Sequence, residues 1–153
     1  MKKVLVICDD NSILSQMAEG WLNYYGGSDI EVSSAGIVKA DLNMHAVAAM
    51  SDAVIDITGH TAKSIEDFKE GSFDFIITLT KKAERECPDF KITARRISYY
   101  LPGMGKKEGS EMDIDRYCME VRDLLEDIVF DFINENIKDL IPDDLTELHN
   151  DGK

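Results

Sequence analysis

The stretch that decides the fold is VLVICDDNSILS, residues 4–15. It begins with an unbroken apolar run at 4–7, which is typical of a strand covered on both faces by helices. The polar segment 8–15 leads into a helical pattern, and a loop in this position normally presents backbone N–H groups and the positive end of a helix to an anion. Here Asp9 and Asp10 place two carboxylates in the loop, and no arginine is present. The sequence therefore predicts the scaffold of an anion-binding loop with its charge reversed.

Strand-like apolar runs alternate with helical patterns along the rest of the chain. This alternation is the signature of an α/β fold with a parallel sheet. We predict a three-layer, flavodoxin-like arrangement in which a four-stranded parallel sheet carries helices on both faces. The predicted strands lie at 4–7, 30–34, 73–79 and within 92–99, and the predicted helices at 15–25, 43–53, 61–68, 82–86 and 112–137. Apolar residues at alternating steps of four and three predict that one face of the last helix packs on the sheet: Ile114, Cys118, Val121, Leu125, Ile128 and Phe132.

Length and composition fit one compact domain. The chain has 153 residues, of which 44% are hydrophobic, and this is enough to bury a core. We predict that the domain covers 1–138 and that 139–153 form an acidic C-terminal tail, in which Pro142 interrupts any helix.

The charge of the chain excludes some classes of partner. With 17 basic and 30 acidic residues, the formal net charge is −13, which argues against nucleic acid and against anionic membranes. The N-terminus runs directly into the strand at 4–7, which leaves no room for a secretory signal, and no apolar run is long enough for a membrane span. We therefore expect a cytoplasmic protein. Three cysteines at irregular spacing indicate neither a disulfide framework nor a zinc cluster, and we predict no cofactor.

Further short sequence motifs accompany this loop, and together they are spread over roughly residues 2–135. Besides Cys8, Asn11 and Ser15 in the loop itself, they lie at 16–21, 33–37, 42–43, 46–50, 56–61, 76–79, 87–88 and 121–123. In this order they resemble the arsenate reductases of the low-molecular-weight tyrosine phosphatase superfamily, whose loop reads Cys, five residues, Arg and then Ser or Thr. On that resemblance Cys8 corresponds to the nucleophile, Asn11 to the loop asparagine and Ser15 to the hydroxyl after the arginine. The resemblance implies the fold of that superfamily.

The departures from the family fall on residues that the family uses for chemistry. The loop positions between Cys8 and Ser15 are Asp9, Asp10, Asn11, Ser12, Ile13 and Leu14, and four of them depart: Asp9, Asp10, Ile13 and Leu14. Asp9 and Asp10 replace small or neutral residues of the family. Leu14 stands where the family has its arginine, so the guanidinium fork that holds an oxyanion and lowers the thiol pKa is absent. Ile13 stands where a second loop cysteine is usual. Leu101, before Pro102, stands where the family has the aspartate that serves as general acid.

The thiol relay of the arsenate reductases is only half present. This chain has Thr80 at the position of the first relay thiol and Cys87 at the second. Cys87 could then act only as a direct resolving thiol for Cys8, and thioredoxin would be a partner only if this pair is redox-active. Cys8 itself is either a reactive thiol or a small buried hydrophobe. Ser15 either hydrogen-bonds to the Cys8 sulfur, as in the family, or caps the first helix.

The family's arsenate reductases can also hold a potassium ion beside the loop. Asn11, Glu19, Ser34 and Thr61 match that ligand set, but Lys63 stands where its acidic ligand is expected. Because the ammonium of Lys63 would take the place of the cation, we predict no bound metal.

Two classes of function follow from these residues. The first is an arsenate reductase or phosphatase that uses Cys8 as nucleophile and Cys87 as resolving thiol. The second is a catalytically silent relative, a pseudoenzyme that keeps the fold to bind an unidentified protein or small molecule. Loss of the arginine removes on the order of several kcal/mol of transition-state stabilisation, and loss of the acid removes about a further 100- to 10,000-fold in rate. We favour the silent relative. A weaker third hypothesis is that Asp9 and Asp10 have made the loop a cation or amine site.

Overall fold

The computed structural model describes residues 1–89, 94–103 and 110–141 of the chain. Its centre is a sheet formed by the strands β1 Lys2–Cys8, β2 Ile30–Gly36, β3 Phe75–Thr78 and β4 Arg95–Ser98. All neighbouring strands pair in parallel, in the order β2-β1-β3-β4. The predicted four-stranded parallel sheet is confirmed. The strand predicted within 92–99 is the short β4, and residues 92 and 93 lie outside the described residues.

The α-helices of the described ranges are α1 Leu14–Gly26, α2 Met44–Asp52, α3 Lys81–Glu86 and α4 Glu111–Asn136. They agree with the predicted helices to within a few residues at each end. The predicted helix over 61–68 is wrong in its first half, since only Ile65–Phe68 is helical and forms a 3₁₀ turn. The side chain of Ser64 accepts a hydrogen bond from the backbone N–H of Glu66 and so caps this turn at its first residue.

The larger part of the core lies between the sheet and the helices α1, α2 and α4. The α4 residues buried in it are Cys118, Val121, Leu125, Val129, Phe132 and Ile133. Ile128 was predicted to lie on this stripe, but it is only half-buried, and Val129 is buried in its place. The reason is that a straight helix has 3.6 residues per turn, so two consecutive steps of four keep the buried stripe in line.

The opposite face of the sheet carries a smaller core, covered by α3 and the 3₁₀ turn. Its buried residues are Leu5, Ile7, Ala35, Ile65, Ile76 and Ala83. Helical segments therefore cover both faces, which explains why β1 is apolar at every position from Val4 to Ile7.

The order of the strands places a loop at the carboxyl edge of the sheet. The chain leaves β1 for β2 on one side, and β3 pairs with the other side of β1. Ligands of open α/β sheets bind where strand order reverses in this way, and the segment from Cys8 to α1 lies there.

None of the helices in the described ranges is long and apolar enough to cross a membrane. The predicted acidic tail begins at 139 and its part from 142 onward lies outside the described residues, so its boundary stays a prediction.

Candidate active site

Asn11 fixes the shape of the loop between β1 and α1. It is fully buried and adopts a left-handed conformation with φ of 62°, which asparagine tolerates better than most residues. Its side-chain oxygen accepts hydrogen bonds from the backbone N–H of Lys63 at 2.8 Å and from Nε2 of Gln16 at 2.9 Å. Its amide donates to Ser15 Oγ at 2.8 Å and to Ser34 Oγ at 3.0 Å. These contacts hold the loop in one shape, independently of any reaction.

The end of β2 packs directly on the loop backbone. Backbone N–H groups of segment 37–40 donate to three loop carbonyls, which belong to Cys8, Asp9 and Asp10. A Cβ added at Gly36 would lie 2.4 Å from the carbonyl carbon of Asp10 and 2.6 Å from the backbone nitrogen of Asn11. Because both atoms belong to the loop backbone, only glycine fits at this strand end. The loop and β2 therefore form one rigid frame.

Cys8 lies at the base of the loop with 2% of its surface exposed. Its Sγ is 2.9 Å from Ser15 Oγ, and backbone N–H groups of Asp10, Asn11 and Ser15 also point at the sulfur. Burial raises the pKa of the Cys8 thiol, and these hydrogen bonds oppose the shift without reversing it. Burial therefore works against a thiolate at this position, while the surrounding N–H and O–H donors form a cradle of the kind that binds anions.

The alternative role of Ser15 as a helix cap is wrong. The helix begins at Leu14, Ile13 is at the N-cap position, and no side chain caps this end. Ser15 lies in the first turn, where its hydroxyl points inward to Cys8 and Asn11. Because Ser15 Oγ accepts from the Asn11 amide, its own proton is available for the sulfur.

A cavity of about 160 Å³ opens above Cys8. The described residues that line it are Cys8, Asp9, Asp10, Ser12, Ile13, Leu14, Thr80, Gly103 and Tyr117. Asp10 Oδ1 accepts hydrogen bonds from Ser12 N at 3.1 Å and from Ser12 Oγ at 2.7 Å. Asp9 Oδ1 accepts from Thr80 Oγ1 at 2.6 Å. Both loop carboxylates are thus fixed at the cavity by neighbouring hydroxyls.

Apolar side chains occupy the two positions at which the resemblance leads us to expect an arginine and a general acid. Leu14 is 7% exposed and belongs to the larger core. Leu101 is half-buried against the same core, and its backbone N–H donates to the Leu79 carbonyl. Tyr117 brings a hydroxyl to the cavity wall, but this group donates to the Pro102 carbonyl at 2.7 Å, and burial raises its pKa. The Tyr117 proton is therefore directed at Pro102 and not into the cavity above Cys8.

The two residues at the relay positions lie apart. Thr80 lines the cavity and caps α3, accepting from the backbone N–H of Ala83 at 3.0 Å. Cys87 follows α3, is half-buried and packs against the smaller core on the opposite face of the sheet. Its Sγ lies 3.6 Å from the Pro88 carbonyl oxygen, and burial raises its pKa. Among the described residues, Cys8 is the only thiol that lines the cavity.

The residues that match the family's potassium set do not fit a cation here. Lys63 Nζ donates to the Thr61 carbonyl at 2.6 Å, so an ammonium already lies against one of these oxygens. Glu19 accepts from Ser34 Oγ at 2.6 Å, and its second oxygen is 3.3 Å from Nε2 of His60. We therefore derive no role for a metal at this position.

Sequence reasoning missed three residues that build the site. Gln16 donates from Nε2 to the Asn11 carbonyl, to Asn11 Oδ1 and to the Thr61 carbonyl, and its Oε1 lies 3.1 Å from Nδ1 of His60. Gly36 and Tyr117 were also assigned no role. A glycine two residues after the predicted strand 30–34 was a usable signal for a close approach of two backbones. Nothing in the sequence indicated Tyr117, since it lies beside the apolar stripe of α4.

The parallel sheet and the Cys8 loop at its carboxyl edge define a class of α/β proteins, and comparison with known proteins identifies the family. The family model for low molecular weight phosphotyrosine protein phosphatase matches residues 3–152, and the chain belongs to this family. It is 34% identical over 126 residues to an arsenate reductase of Oceanobacillus iheyensis, covering 82% of this chain and 91% of that protein. It is 36% identical over 122 residues to an arsenate reductase of Bacillus licheniformis, covering 80% and 88%.

Solved structures give the same result. An arsenate reductase in the oxidized state aligns with a TM-score of 0.75 and 27% identity, over 88% of this chain and 98% of that one. An arsenate reductase in the phosphate binding state aligns with a TM-score of 0.65 and 28% identity, over 84% and 97%. The predicted membership of the superfamily is confirmed.

Proposed function

We propose that this chain is a catalytically silent member of its family, which keeps the fold as a binding or regulatory domain. The observation that carries the proposal is Leu14, which is buried in the core at the position of the family's arginine. A leucine can donate no hydrogen bond to an oxyanion and places no positive charge beside the thiol. Preorganised donors of this kind supply about 3 to 4 kcal/mol of transition-state stabilisation each.

Electrostatics at the cavity support the proposal. Asp9 and Asp10 present carboxylates where a phosphate or arsenate would have to lie, and the chain as a whole carries a formal charge of −13. Backbone N–H groups around Cys8 would attract an anion, but two adjacent full negative charges would repel it. Burial also raises the pKa of the Cys8 thiol and so works against the nucleophile.

The later steps of the family's reactions also lack their residues. Phosphate ester hydrolysis needs a proton for the leaving group, and Leu101 supplies none. Arsenate reduction needs a second thiol to release the product, and Thr80 at the cavity cannot form a disulfide. Because binding, proton transfer and disulfide exchange each lack a group, replacing one group would not restore turnover.

Titration with oxyanions tests the proposed loss of anion binding. Isothermal titration of the wild-type chain with phosphate, sulfate or arsenate should show no binding tighter than the millimolar range, because Leu14, Asp9 and Asp10 act together against the anion. The matched control is the variant Asp9→Thr/Asp10→Gly/Leu14→Arg, which should gain measurable affinity. A micromolar dissociation constant for the wild type would mean that the backbone N–H groups suffice, and it would remove the basis of the proposal.

The second candidate is an active arsenate reductase or phosphatase that uses Cys8. It is favoured by the intact cradle around the sulfur, in which Ser15 Oγ lies 2.9 Å from Cys8 Sγ, and by the relatives that are arsenate reductases. For arsenate reduction, Cys87 would have to form a disulfide with Cys8, which requires Cα atoms within about 7 Å. Thioredoxin would then be the reducing partner.

Disulfide mapping decides whether this thiol pair exists. After mild oxidation we expect free thiols at Cys8 and Cys87, because Cys87 packs on the opposite face of the sheet. The measurement is peptide mapping by mass spectrometry, with a Cys87→Ser variant as control. Recovery of a Cys8–Cys87 peptide from the wild type, and its absence from the control, would support the second candidate against our proposal.

A further inference from the structure

A groove separate from the Cys8 cavity runs between α2 and α4. Its first cavity, of about 260 Å³, lies between the two helices, and a second, of about 410 Å³, continues along α4 alone; Asp115 and Met119 line both. We call it the methionine groove and define it by six of its lining residues, which are Ala48, Ala49, Asp52, Met112, Asp115 and Met119. None of these residues lines the cavity above Cys8. The groove is therefore independent of the proposed loss of catalysis.

The centre of the groove is apolar and exposed. Met112 is 73% exposed and Met119 is 41% exposed. The two side chains are seven residues apart, so they lie on the same face of α4, two turns from each other. On the α2 side the small residues Ala48 and Ala49 leave the space that forms the cavity. Methionine side chains are flexible and polarizable, and proteins use them at surfaces that bind apolar side chains of partners.

Carboxylates surround this apolar centre. Asp52 and Asp115 line the first cavity, and Glu120 and Asp123 extend the acidic rim along the second. The nearby Arg122 offsets part of this rim, because it pairs with both Asp52 and Asp123. The four carboxylates against Arg116 and Arg122 still leave the rim a formal charge of −2. Its Nε lies 2.9 Å from Asp123, and its Nη1 donates to the Ala49 carbonyl at 3.0 Å. The remaining cations on this surface are Arg116 and, when protonated, His45, which contacts Asp115.

We propose that the methionine groove binds a basic amphipathic helix of a partner protein. Large apolar side chains of the helix would enter the two cavities against Met112 and Met119, and its lysines or arginines would meet Asp52, Asp115 and the rest of the acidic rim. A second copy of this chain fits less well, because it would bring the same acidic rim and a net charge of −13 against this surface. The long-range attraction of an acidic protein for a basic helix also favours this occupant.

The experiment uses the full chain and a fluorescein-labelled model peptide of leucine and lysine, about 18 residues long, which places all leucines on one helical face. Fluorescence anisotropy at physiological salt should give a dissociation constant in the micromolar range. The double variant Met112→Gln/Met119→Gln should weaken binding by about tenfold or more, because it removes the apolar contacts and keeps the charge. The matched control is Leu124→Gln, which changes a residue of α4 that is 46% exposed and lies outside both cavities.

The comparison separates groove binding from general charge attraction. The proposal is supported if Leu124→Gln keeps the peptide affinity of the wild type and the double variant loses affinity. Weaker binding of a scrambled peptide of the same composition also supports it. Circular dichroism of each variant confirms that it is folded. Equal affinities for the wild type and both variants, or no binding of the amphipathic peptide, would overturn the proposal. Self-association of the wild type that the double variant abolishes would instead assign the groove to a second copy and would also overturn it.

Discussion

A variant with Asp9→Thr, Asp10→Gly, Ile13→Cys, Leu14→Arg and Leu101→Asp should hydrolyse p-nitrophenyl phosphate on the order of 1,000-fold faster than the wild type. The reason is that the frame which would hold the restored groups is still present. Asn11 keeps its hydrogen bonds to Ser15 and Ser34, and three backbone N–H groups still point at the Cys8 sulfur. The restored guanidinium would bind the oxyanion and lower the thiol pKa, and removal of the two carboxylates would end their repulsion of the oxyanion.

Two controls make this experiment specific. The same variant with Cys8→Ser added must be inactive, because the reaction would run through the sulfur. A variant without Leu101→Asp should keep most of the gain on p-nitrophenyl phosphate, whose leaving group needs little protonation, and should lose it on phenyl phosphate. If the folded five-residue variant shows no Cys8-dependent turnover on either substrate, the loop frame is not catalytically competent and our account of it is wrong.

Gly36→Ala is expected to destabilise the protein by about 3 kcal/mol. The added Cβ would lie 2.2 Å from the Val38 carbonyl oxygen and 2.4 Å from the Asp10 carbonyl carbon. Because these are backbone atoms on both sides, neither a rotamer change nor a small shift of one side chain can relieve the overlap. The loop and the end of β2 would have to separate, which breaks the hydrogen bonds between segment 37–40 and the loop carbonyls.

Urea denaturation monitored by circular dichroism measures this loss of stability. The matched control is Gly59→Ala, since a Cβ added at Gly59 meets nothing within 4 Å. The control should be neutral or slightly more stable than the wild type, because alanine restricts the unfolded chain more than glycine does. Free energies of unfolding for Gly36→Ala and Gly59→Ala that agree within about 0.5 kcal/mol would contradict the rigid frame described here.

Most of the fold could be predicted from local patterns in the sequence. The unbroken apolar run at the start of the chain indicated a buried strand, and the alternation of strands and helices indicated the parallel sheet. The errors came where local patterns are ambiguous. The segment 61–68 was predicted as one helix, but the Ser64 cap confines it to a 3₁₀ turn. Ile128 was predicted to lie in the core, but with 3.6 residues per turn it is Val129 whose side chain faces the core.

Less of the site could be predicted, because it depends on contacts between distant segments. Cys8, Asn11 and Ser15 could be identified because the loop resembles a short motif of a known family, which is a local signal. The packing of Gly36 on the loop, the hydrogen bonds of Gln16 and the position of Tyr117 above Cys8 join residues far apart in the chain. A single sequence carries no direct record of such contacts.

Turnover by the unmodified chain is the most direct test of the central claim that this protein is catalytically silent. The measurement compares the wild type with Cys8→Ser in p-nitrophenyl phosphate hydrolysis and in thioredoxin-coupled arsenate reduction. Our account predicts that the two proteins are indistinguishable in both assays, because the oxyanion donor, the general acid and the first relay thiol are all missing. Turnover by the wild type that Cys8→Ser abolishes, in either assay, would contradict the account and return this chain to the enzymes of its family.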